Sequence, residues 1–108
     1  MEGRILLGGS EGELRLTSAA DTITIEAHGT LDAATVAAMA GAAAGALENG
    51  WDRVHIDLGH ITGHTDDGLD ALADLQGRYP PGAGRRIAYR ASSDTGQEAL
   101  LAAYSRAG

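Results

Sequence analysis

Apolar and polar residues alternate from Leu14 to Thr17 and again from Thr22 to His28, with Leu14 and Leu16, then Ile23, Ile25 and Ala27, on one side. A period of two marks strands with a single buried face. The residues between them, Ser18 to Asp21, suit a tight hairpin, so the two strands are predicted to be antiparallel neighbours. Gly29 offers a permissive backbone at the strand exit. Asp32 is a good N-cap for the following stretch, AATVAAMAGAAAGALENG, whose Val36, Met39, Ala43 and Leu47 recur at helical spacing. Gly41 and Gly45 inside that helix each cost roughly 0.5–1 kcal/mol relative to Ala. Their expected return is a close approach to a neighbouring element. Asn49-Gly50 ends the helix with a left-handed residue.

Alternation resumes from Trp51 to Leu58, with Val54, Ile56 and Leu58 on one face and Arg53, His55 and Asp57 on the other. A strand, a helix and a strand imply a crossover connection and a parallel pair. A loop carrying His60 and His64 is expected next, from Leu58 to Gly68. A second helix then starts at Thr65 and runs to Tyr79, with Leu69, Leu72, Leu75 or Gln76, and Tyr79 inward, and Pro80-Pro81-Gly82 stops it. Arg85 to Arg90 reads as a further strand with Ile87 and Tyr89 inward. Ser92-Ser93-Asp94 caps a last helix, where Asp94 and Gln97 have capping-box spacing and Leu100, Leu101 and Tyr104 form the expected buried side. Every strand alternates, and a sheet covered on both faces would instead need continuous apolar runs. The expected architecture is α/β: a four-stranded mixed sheet with helices packed on one face. Residues 1–13, around the apolar Ile5-Leu6-Leu7, form either an N-terminal arm or a short leading strand, and residues 14–108 form the domain.

Composition narrows the function classes. The chain of 108 residues has no cysteine, which excludes disulfides and thiolate metal sites. Its core must be aliphatic, because it has no Phe and only one Trp and three Tyr. No apolar run approaches the ~18 residues of a membrane span, and the opening MEGRILLGGSEGE is too short in apolar residues for a signal peptide. The expected compartment is the cytoplasm. The formal net charge of −7 disfavours nucleic acid and anionic membranes and favours a basic protein surface.

Loops beyond the carboxyl ends of parallel strands carry the reactive groups of open α/β sheets. Here they are His28 to Asp32 and Leu58 to Gly68, which are expected to bring Asp32, Asp57, His60, His64, Asp66 and Asp67 together. Asp66 and Asp67 already fill the second helix start, so a phosphate there would be repelled. Asp66, Asp70 and Asp74, four apart, read either as a solvated face or as an acidic stripe for a basic partner. His60, His64 and a carboxylate are a candidate metal set, but HxxxH spacing in a loop fixes no geometry, and two exposed loop imidazoles explain the pair better. His55 reads as a side chain on the solvent face of the sheet. No serine sits on a strand-to-helix elbow, so no hydrolase triad is assigned. No catalytic residue, metal or cofactor is assigned.

Gly29-Thr30-Leu31-Asp32, the strand ending Asp57-Leu58, Thr65-Asp66-Asp67-Gly68-Leu69 and the Leu100-Leu101 pair of the last helix carry a resemblance. In that order and spacing, over residues 14–108, the chain resembles a STAS domain, the fold of bacterial anti-sigma factor antagonists and sulfate-transporter tails. The family has G-x-L/I-D after its second strand and D-S-[ST]-G-L at its second helix. The resemblance implies a non-enzymatic protein-binding module in signalling and transcription regulation. Its partner would be an anti-sigma factor and serine kinase of the histidine-kinase-like ATPase type. In the family, the serine at the start of the second helix is phosphorylated, and the added charge breaks the interface. That serine falls on Asp66 here, its neighbours on Thr65 and Asp67, so the switch is expected to be absent or altered. The docking residues expected are Asp32, Thr65, Asp66, Asp67 and Gly68 from the resemblance and Asp70 and Asp74 from the acidic stripe, with Thr65 as an offset acceptor that an N-cap role explains better. Two alternatives stay open: a STAS subunit of a transporter ATPase complex, and a small metal-dependent enzyme using His60, His64, Asp57 and Asp66.

Overall fold

The computed structural model describes residues 2–6, 12–80 and 86–107. The elements run β1 (Glu2–Leu6), β2 (Gly12–Ala19), β3 (Thr22–Leu31), α1 (Ala33–Glu48), β4 (Arg53–His64), α2 (Asp66–Arg78), β5 (Ile87–Arg90) and α3 (Asp94–Ala107). The strands form one five-stranded sheet in the order β1-β2-β3-β4-β5. β1, β2 and β3 pair antiparallel, and β3, β4 and β5 pair parallel. The sheet is therefore mixed, as expected, with β1 added as the leading strand on the outer edge of β2. Leu7, Pro81, Gly82 and Arg85, which the sequence placed in an apolar patch, a helix stop and a strand, lie outside the described residues.

The helices cover one face. Leu14, Ile25, Ala27, Leu31, Val54, Ile56, Leu58 and Ile87 of the sheet are buried together with Val36, Met39, Leu69, Leu72 and Leu75 of the helices. Each large aliphatic side chain removed from water there contributes on the order of 1.5–3 kcal/mol. The opposite face carries Thr24, Glu26, His28, His55 and Asp57, all half-buried. The hairpin between β2 and β3 is tighter than the four residues expected: only Ala20 and Asp21 turn, with Ala20 at φ 54.

Local chemistry ends the helices where the sequence placed their ends. Asp32 accepts a hydrogen bond from the Thr35 amide at 2.9 Å, and Thr65 accepts one from the Gly68 amide at 3.0 Å. At the end of α1, Gly50 takes φ 87, its amide bonds the Leu47 carbonyl, and the Trp51 amide bonds that of Ala46. This paired pattern is the Schellman stop, and glycine suits it because it has no Cβ. α3 starts one residue before the predicted capping box. Ser93, not Asp94, accepts from the Gly96 amide, and Gln97 reaches the Ala91 carbonyl.

Two further expectations fail for one reason. In α3 the residues facing inward are Gly96, Ala99 and Ala103, whereas Leu101 and Tyr104 are 71% and 67% exposed. In α1, a Cβ built at Gly41 or Gly45 would meet nothing within 4 Å. Close approach occurs elsewhere. A Cβ on Gly68 would collide with the Leu31 carbonyl, and one on Gly96 with the Leu58 carbonyl. α2 thus packs so tightly on the end of β3, and α3 on the middle of β4, that only small residues fit at their first turns.

Gly68→Ala is expected to destabilise the domain by about 1–3 kcal/mol in urea unfolding, because the backbone it meets cannot swing away. Gly41→Ala, in an open exposed helix position, is expected to stabilise it by about 0.5–1 kcal/mol. Tyr89 gives a second test. Its hydroxyl donates to the Tyr79 carbonyl at 2.7 Å. Burial first, and the nearby Tyr79 hydroxyl second, push its pKa from 10.0 to about 12. A group that holds its proton more tightly when folded stabilises the fold below its unfolded pKa and loses that contribution above it. Stability is therefore expected to fall between pH 10 and pH 12, and the fall should be smaller in Tyr89→Phe.

Candidate functional site

The predicted histidine loop is a strand. β4 continues to His64, paired in parallel with β3 as far as Leu31. The residues Gly59 to His64 carry little hydrophobic alternation, yet their amides and carbonyls have an extended partner at hand. β4 gains residues over β3 at irregularities between Glu26 and His28 and between Gly29 and Thr30. Gly29 sits at φ 79 there. The first irregularity changes which way the side chains face. Asp57 and His60, an odd number of residues apart, both lie on the open face, while Leu58 and Ile61 are buried. The Asp57 carboxylate holds the bulge by accepting from the Gly59 amide at 2.8 Å.

The six residues expected in one neighbourhood separate into distinct groups. Asp57 and His60 join Glu26 and His28 on the open face, with His60 Nε2 4.0 Å from Asp57 and 3.7 Å from Glu26. His64 faces Glu98 of α3 at 3.4 Å. The set His60, His64, Asp57 and Asp66, weighed as a metal-dependent catalyst, is therefore not assembled: Asp57 and His60 approach each other, but His64 pairs with Glu98 and Asp66 with Arg106. Glu26 and His28 were missed, although Glu-x-His on an alternating strand does place both side chains on one face.

Asp32, Thr65, Asp66, Asp67 and Gly68 do come together. The Thr65 amide donates to the Leu31 carbonyl at 3.1 Å, and Gly68 packs against Leu31 and Asp32. Thr65, Asp66 and Asp67 are exposed around this seat. The Asp32 carboxylate faces inward to α1, 2.7 Å from the Thr35 hydroxyl as well as capping the helix. Farther along α2, the acidic stripe is answered by arginines. Arg106 of α3 spans Asp70 at 2.8 Å and Asp66 at 3.4 Å, and Arg78 lies 3.4 Å from Asp74. Such exposed pairs contribute at most about 1 kcal/mol each. A shallow groove of about 360 Å³ between α2 and α3 is lined by Asp70, Ala73, Asp74, Gly77 and Arg106. On the far side of α3, Leu101 and Tyr104 face solvent.

Solved structures share this architecture. The crystal structure of an anti-sigma factor antagonist from Mycobacterium paratuberculosis superposes with a TM-score of 0.64 at 16% identity, covering 89% of this chain and 80% of that one. The anti-sigma factor antagonist SpoIIAA in its unphosphorylated form gives a TM-score of 0.57 at 16% identity, covering 88% and 82%. A structure described as Mglu gives 0.51 at 19% identity over 68% of this chain and only 18% of its own length. No protein-family model matches the chain, and no curated protein matches it in sequence. The fold is STAS-like, that of anti-sigma factor antagonists. Among the described residues, no helix is long and apolar enough to cross a membrane.

Proposed function

We propose that the domain is a regulatory protein-binding module of the anti-sigma factor antagonist kind, which docks through the start of α2. The observation that carries this reading is the exposed, rigidly seated helix start: Thr65, Asp66 and Asp67 project from a turn anchored by Gly68 against Leu31 and Asp32. The likeness in fold to antagonists over most of the chain supports it. Asp67, Asp70 and Asp74 form the acidic contact surface, Asp66 sets beside them a fixed charge that opposes docking as a phosphate would, and Asp32 fixes the floor by capping α1.

The partner is a protein with a basic docking face, an anti-sigma factor with serine kinase activity of the histidine-kinase-like ATPase type. Asp66 occupies the position where the resemblance puts the phospho-acceptor serine. It cannot accept a phosphoryl group from a serine kinase. It also carries one charge where a phosphoserine carries about −1.5 to −2. Its side chain is 92% exposed and lies beside Arg106, so part of that charge is answered within the chain. The switch is therefore absent, or held at an intermediate setting. Thr65 is occupied as the N-cap of α2, which leaves it a poor offset acceptor.

Pull-downs from native lysate with wild type and Asp66→Ser, analysed by mass spectrometry, test the reading. Capture of an ATPase of the anti-sigma kinase type is expected, with Asp66→Ser binding it several-fold more tightly and becoming phosphorylated in its presence. Failure of both forms to retain such a protein contradicts the docking role. Equal affinity in wild type, Asp66→Ser and Asp66→Ala contradicts the fixed-charge role of Asp66.

A further inference from the structure

The open face of the sheet, opposite the helices, carries a second constellation that the docking role leaves unused. Glu26 and His28 project from β3 and His60 from β4, and His28 and His60 are direct partners in the strand register. The imidazoles stack with centroids 4.6 Å apart and planes within 5°. Both Nε2 atoms address one carboxylate oxygen, Glu26 Oε1, at 3.0 Å from His28 and 3.7 Å from His60. One donor atom from each residue lies within 4.8 Å of the other two. Arg15 faces Glu26 across the β2–β3 pair but reaches Glu13 at 4.0 Å. Among the described residues, the carboxylate is thus left to the histidines.

We propose that Glu26, His28 and His60 form a binding site for a first-row transition metal of the zinc class. Two imidazole nitrogens and a carboxylate oxygen are the donor set such ions favour. At metal–ligand bonds of about 2.0–2.2 Å, tetrahedral donors stand roughly 3.3 Å apart, so small movements of the side-chain tips close the present triangle. The charge balance points the same way. Each imidazole nitrogen can offer a lone pair to the ion, and a dication answers the Glu26 carboxylate between them. Water takes the fourth position, or Asp57 does, whose Oδ2 lies 4.0 Å from His60 Nε2.

The fold builds the site in a specific way. The bulge at Leu58-Gly59 turns His60 outward to join residues of β3, and a Cβ at Gly59 would collide with the Ser92 hydroxyl and press on Asp57 Oδ1 at 3.0 Å. His28 and Glu26 are largely shielded, with side chains 19% and 23% exposed, while His60 at 47% leaves an entry path. A bound ion would clamp β3 to β4 without touching the start of α2, so the proposal stands apart from the docking role.

Isothermal titration of Zn²⁺ alone into the full chain without a polyhistidine tag tests it, with Co²⁺ visible absorption as a second readout. One ion per chain is expected. His60→Gln and His28→Gln should each weaken binding at least tenfold and remove the Co²⁺ bands, and Glu26→Gln should weaken it several-fold. His64→Gln and His55→Gln should bind as wild type does. Circular dichroism checks the fold of each variant, and His60→Gln, altering the most exposed member, decides the matter if His28→Gln fails to fold. No Zn²⁺ binding by wild type, binding unchanged in His60→Gln, or equal loss in His64→Gln would overturn the proposal.

Discussion

The parallel pairing of β3 with β4 is the constraint on which the rest depends. It runs from Thr22 opposite Arg53 to Leu31 opposite His64. Because β4 carries extra residues over β3, the pair must bulge, and the bulge decides which side chains face which way. Leu58 within it and Ile61 beyond it enter the core, and Asp57 and His60 leave toward solvent. The end of the pair is equally decisive. The Leu31 carbonyl receives the Thr65 amide, and Gly68 lies against the same carbonyl, so the first turn of α2 is locked to the end of β3.

One backbone arrangement thereby serves both faces of the sheet. On the helical side it presents a short acidic helix start, exposed but anchored through small residues. An anchored helix start suits a docking element, because little conformational entropy remains to be lost on binding. Arg106 tempers the charge there by spanning Asp66 and Asp70. On the open side the same pairing stacks His28 on His60 over Glu26. The two surfaces share strands but no side chain, so each can be altered by substitution without rebuilding the other.

Much of this was legible in the residues. Period-two alternation located β2, β3, the first part of β4 and β5, and the caps Asp32, Thr65 and Gly50 marked helix ends that the backbone uses. What escaped reading did so for physical reasons. His60-Ile61-Thr62-Gly63-His64 has no clear period, and its strand character comes from a partner, β3, that offers hydrogen bonds to whatever side chains lie there. The inward face of α3 was assigned to its largest apolar residues, yet the helix approaches so closely that Gly96, Ala99 and Ala103 are what fit, which pushes Leu101 and Tyr104 outward. For the same reason glycines mattered at helix starts, not in the middle of α1. The Glu26–His28–His60 group was invisible while His60 was assigned to a loop, because only the register brings it opposite His28.

The central claim is that β4 stays in the sheet through His64, and amide hydrogen exchange tests it most directly. The account predicts that the amides of β4 beyond Leu58 that bond to β3 exchange slowly, within the range of those between Val54 and Leu58, apart from positions freed by the bulges. Exchange of the whole stretch from Gly59 to His64 at the rate of an unstructured loop would contradict it, and with it the placement of both surfaces.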